Sequence, residues 1–79
     1  MAHEHPDAVA KAKELGATEG RVGINWNWAS GFPTNEAAEQ FNEWCLKNGY
    51  ETRGVYYLNP IKPGDTAAVR YRTKSDIVR

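Results

Sequence analysis

One segment restricts the fold more than any other. Ala37, Phe41, Trp44 and Cys45 fall at i, i+4, i+7 and i+8, a single stripe of a 3.6-residue helix. Thr34 or Asn35 supplies the N-cap, Glu36 and Glu39 stand at the electropositive start, and Lys47 lies near the end. Asn48-Gly49 then stops the helix. On both sides the apolar residues alternate instead. Before the helix, Val22, Ile24, Trp26 and Trp28 interleave with Gly23, Asn25 and Asn27, the period-2 signature of a half-buried strand. After it, Tyr50 through Asn59 is rich in Tyr, Val and Thr and reads as a second strand, and Thr66 through Arg72 reads as a third. Pro60, Pro63, Gly64 and Asp65 supply the turn between those two. A helix set between strands needs a sheet to receive its apolar stripe.

Further upstream, Pro6 and Asp7 open another helix, which Gly16 ends. At about nine residues it is too short to persist alone, so Val9, Ala12 and Leu15 must lean on the rest of the molecule. Ala29-Ser30-Gly31-Phe32-Pro33 reads as a loop by composition. The expected order is helix, strand, helix, strand, strand: an α+β fold, an α/β sandwich with two helices packed on one face of a small mixed sheet of three or four strands. The strand-helix-strand unit crosses over right-handed and sets its two strands parallel, and the following turn makes the third strand antiparallel to the second. Pattern leaves open whether that third strand lies at the edge or between the other two, and whether Ile77 and Val78 add a fourth. Residues 1–5 read as a frayed polar tail and residues 6–79 as one globular domain.

A chain of 79 residues leaves no room for a dinucleotide-binding fold or a large enzyme, and a domain this small buries only roughly 60% of its unfolded surface. The single Cys forms no internal disulfide. The short apolar runs span no membrane, and no secretory leader is legible, so a soluble, cytoplasmic protein is expected. Ten Lys and Arg balance ten Asp and Glu, which gives no general attraction to nucleic acid.

Alternation sorts the strand residues into two faces. If the helices cover Val22, Ile24, Trp26 and Trp28, the matching core set is Val55, Tyr57, Val69 and Tyr71, with Phe41, Trp44 and Cys45 from the helix. The open face then carries Asn25, Asn27, Gly54, Tyr56, Leu58, Arg70 and Arg72. Such a face stacks a base, pairs a phosphate or receives a protein edge. Trp28 and Phe32 are candidates for an aromatic rim at the end of the first strand, because Trp and Tyr favour interfaces. Ile61 and Lys62 sit at a proline-stiffened tip, where little ordering is left for binding to cost.

No catalytic set assembles. The sequence has no paired-carboxylate motif and no Ser-His-Asp arrangement, and both His residues lie in the polar start. His3-Glu4-His5 lacks the spacing of a four-ligand zinc site, and Cys45 falls in an apolar stripe rather than an electropositive one. The expectation is a small non-enzymatic protein without metal or cofactor. It acts by occupying the surface of a protein partner, as an inhibitor or accessory subunit does, and its size suits a stand-alone blocker such as phages encode. The alternative is a nucleotide- or RNA-binding module using Tyr56, Arg70, Arg72 and the Asn pair.

Overall fold

Thr34 is the N-cap of the long helix: its Oγ1 accepts from the Ala37 N–H at 3.1 Å in a computed structural model that describes residues 5–59 and 61–73. The elements in order are α1 (Pro6–Glu14), β1 (Glu19–Val22), β2 (Asn27–Phe32), α2 (Asn35–Lys47), β3 (Glu51–Tyr56) and β4 (Ala67–Arg72). They form a small α+β domain with a four-stranded sheet in the order β1-β2-β4-β3.

The sheet corrects three expectations. It is not mixed, because every neighbouring pair is antiparallel. β2 and β3, which flank α2, do run parallel to one another, but β4 inserts between them and pairs with both. The crossover is therefore split. The segment from Val22 to Trp28 is also not one strand. Gly23 donates its N–H to Trp26 O at 3.0 Å, closing a tight turn that makes β1 and β2 a hairpin. A Cβ on Gly23 would collide with that same carbonyl oxygen, so glycine is required there. Residues 29–32, expected in a loop, belong to β2. Small residues read as loop by composition, yet Ala29 is buried on the sheet's helix side. A bulge lies between Ser30 and Phe32. Gly31 adopts φ +81 there, and a Cβ would strike Thr18 Oγ1.

Both helices cover one face. α2 buries Ala38, Phe41 and Cys45, with Trp44 packed partly against the same core. Phe41 is fully buried, with ring centroids 5.5 Å from Phe32 and 5.4 Å from Tyr71. Trp44 stacks on Tyr50 at 5.8 Å, and Tyr50 meets Tyr71 edge-on at 5.7 Å. This aromatic cluster supplies the volume that a core of small alanines lacks. α1 buries Ala8 and Ala12 rather than Val9, which stays half-exposed. Tyr50 pins α1 by donating its hydroxyl to Asp7 Oδ1 at 2.9 Å. Of the frayed start expected over residues 1–5, His5 alone lies among the described residues, and its ring meets Tyr50 edge-on at 5.2 Å. Ile77 and Val78 lie outside the described residues.

Tyr57, expected in the core, is 59% exposed. An extra residue in β3 between Thr52 and Val55, with Gly54 at φ +85, shifts the register against β4. Val55 still pairs with Val69 on the helix side, but β3 ends at Tyr56. Among the described residues, no helix is long and apolar enough to cross a membrane.

Candidate functional site

The face of the sheet opposite the helices is open, and its side chains follow from the register. Arg21 pairs with Trp28, and Trp28 with Arg70, so these three stand in one row across β1, β2 and β4. Glu19, Ser30, Ala68 and Tyr56 form the neighbouring row, and Arg72 opposite Glu51 forms another.

The rows are stitched together by rings and guanidinium groups. Arg70 sits over both Trp28 and Tyr56, its Cζ 4.6 Å from one ring centroid and 5.0 Å from the other. It also donates to Tyr56 Oη at 2.8 Å. The Trp28 and Tyr56 centroids are 5.8 Å apart. Arg72 stacks on Trp26, with Cζ 4.0 Å from its centroid, and pairs with Glu51 at 3.0 Å. Each guanidinium is thus held over an aromatic ring at cation–π distance. Side chains already fixed in this way lose little rotamer freedom when a partner arrives.

Four of the residues singled out from the sequence meet here: Trp28, Tyr56, Arg70 and Arg72. Others are elsewhere. Asn27, expected on the open face, is 1% exposed and faces the helices, because the hairpin puts β2 in the opposite phase. Phe32 is no rim residue: the Gly31 bulge turns it inward against Phe41, where it is fully buried. Leu58 packs against the helix-side core, and its N–H donates to Asn35 Oδ1 at 2.7 Å. Asn25 is exposed in the β1–β2 turn rather than on a strand. Ile61 and Lys62 are exposed at the tip of the loop between β3 and β4, where Ile61 N–H donates to Asn59 Oδ1. That tip is separate from the sheet-face cluster, as Asn59 N–H to Asp65 Oδ2 at 2.6 Å closes the loop on itself.

Trp26, like Trp28, is placed in the core by sequence reasoning and on the open face by the structure, and Val22 and Ile24 are exposed as well. The signal for Trp26 lay in the neighbouring glycine: a turn at Gly23 detaches Trp26 from the strand that precedes it. Arg21 and Glu51 were missed because single charges in strands carry no pattern until pairing sets their row.

The buried side holds no comparable chemistry. Desolvation by burial, with the negative charge of Asp7 adding to it, pushes the Cys45 thiol up to about 12. A thiol so held is a poor nucleophile near neutrality. Burial and the hydrogen bond to Asp7 likewise raise the Tyr50 hydroxyl. A groove of about 250 Å³ between α1 and β1 is lined by Val9 and Lys13 of α1, by Gly20, Arg21 and Val22 of β1, and by Asn27 and Tyr71. Among the described residues, no three His, Cys, Asp or Glu side chains gather where they would hold a metal ion. Scans of protein-family models, curated proteins and solved structures find nothing that matches this chain.

Proposed function

We propose that this domain is a non-enzymatic protein-binding module that acts by occupying a partner's surface with the open face of its sheet. The observation that carries the reading is the cluster of Trp28, Tyr56 and Arg70, with Trp26, Arg72 and Glu51 beside it. Trp, Tyr and Arg are the residue types that dominate binding energy at protein interfaces, and they do so when rigid and clustered. The rings are only partly covered: Tyr56 is 51% exposed although it contacts Arg70.

A nucleic-acid reading is less well supported. A stacked base would have to share Trp26, Trp28 and Tyr56 with the guanidinium groups already lying over those rings. Glu51 neutralises Arg72, and Glu19 stands on the same face. With a net charge of zero, the domain lacks the phosphate-neutralising excess on which such binding rests.

The test is capture from native cell extract on the parent protein and on a Trp28→Ala/Arg70→Ala variant, each with and without nuclease. A protein retained by the parent, lost on the variant and indifferent to nuclease supports the reading. Equal retention by the variant removes this face from the binding site. Retention that nuclease abolishes transfers the face to nucleic acid.

A further inference from the structure

We propose that the free edge of β1 pairs with β1 of a second copy of this chain, joining two sheets into one across a two-fold axis. This stands apart from the partner reading, since it uses the edge of the sheet rather than its face. β1 is the outermost strand on its side, and all four of its residues, Glu19 to Val22, are exposed. An uncovered strand edge is a template for another strand.

Backbone direction follows from the hairpin. The bond from Gly23 N–H to Trp26 O turns the main chain of Gly23 toward β2. Alternate residues of an antiparallel pair present their N–H and C=O to opposite sides. Arg21 and Glu19 therefore direct theirs to β2, while Gly20 and Val22 direct theirs to the open edge. Thr18 N–H, which bonds Ser30 O at 3.0 Å, marks the end of the open stretch.

Charge then selects one register. Centred on Gly20, an antiparallel pair exchanges two hydrogen bonds between the two glycines. It also sets Glu19 of each copy opposite Arg21 of the other. Those are non-hydrogen-bonded positions, where Cα atoms approach to roughly 4.5 Å and side chains lie closest. Centring on Arg21 instead brings two guanidinium groups face to face, which opposes pairing. Both charged side chains stand on the open face and are at liberty to meet a second copy. Arg21 has no ion-pair partner among the described residues, and Glu19 accepts only a long bond of 3.5 Å from Ser30 Oγ. The opposite edge is a poorer template, because the extra residue in β3 at Arg53-Gly54 interrupts its ladder.

Sedimentation equilibrium over a concentration series tests the proposal with two variants, Glu19→Arg and Arg21→Glu. The parent is expected to show a reversible monomer–dimer equilibrium that weakens with added salt. Each variant alone places like charges opposite one another twice, so its dimer should weaken by about tenfold or more. Mixed in equal amounts, the two variants regain complementary pairs and should form a heterodimer about as stable as the parent dimer. Circular dichroism melts check that both variants remain folded, as substitution of exposed side chains allows. A parent that stays monomeric at every concentration overturns the proposal. So does a single variant that dimerises like the parent, or a mixture that fails to recover.

Discussion

Raising the pH should unfold this domain, and Cys45 sets where the loss begins. In the folded chain the thiol is fully buried, and burial with the Asp7 charge holds its pKa at about 12 against a free value of 9.0. Below 9.0 both folded and unfolded chains keep the proton, and stability does not depend on this group. Above it the unfolded chain releases the proton while the folded one retains it, so unfolding gains free energy as pH rises. One unit above the free value the cost is about 1.4 kcal/mol, a sizeable share of the few kcal/mol expected for a domain of this size. Tyr50 acts in the same direction at higher pH, since burial and its bond to Asp7 raise its hydroxyl above the usual 10.0. Urea titrations read by tryptophan fluorescence, in the presence of a reductant, measure the effect. The parent should lose stability from pH 9 upward. Cys45→Ala should start lower, for want of a few buried contacts, but hold level until Tyr50 begins to matter. Parallel curves for parent and variant across that first unit would refute the reasoning and place Cys45 within reach of water. Fast modification of the native thiol by an alkylating reagent would refute it independently.

Trp28→Ala and Arg70→Ala should each cost on the order of 1 kcal/mol, with a coupling of about 0.5–1 kcal/mol in a double-mutant cycle of urea midpoints. Additive losses would mean that the stack does not form in solution. Phe41→Ala should cost about 3–5 kcal/mol and leave the chain largely unfolded at room temperature by circular dichroism, because the ring is fully buried among Phe32, Trp44 and Tyr71. Tyr50→Phe removes only the bond to Asp7 and should cost about 0.5–1.5 kcal/mol, with hydrogen exchange accelerating in α1 before α2. Gly31→Ala should destabilise more than Gly54→Ala in thermal melts. Both residues have positive φ, but only at Gly31 would the new methyl collide with Thr18.

Local chemistry made much of this fold legible. The stripe and cap of α2, the proline opening α1, the strands after Gly49 and the turn between them are written in short-range patterns, and each element forms close to where those patterns place it. The outward direction of Arg70 and Arg72 followed from their alternation with Val69 and Tyr71, because β4 is regular. The region from Val22 to Phe32 was not legible in the same way. Alternation states that a strand has two faces but not which one is buried, and a one-residue change of phase exchanges them. Hydrophobicity assigned the inside to Trp26 and Trp28. Tertiary structure assigned it to Asn27 and Ala29, since Phe32, Phe41, Tyr50 and Tyr71 already fill the space beneath the helices. Small residues on the central strands let those helices approach, and the displaced indoles found Arg70 and Arg72 on the other side. Strand order was likewise beyond the pattern: β4 enters between β2 and β3 through pairings remote in sequence, and only the assembled sheet decides them.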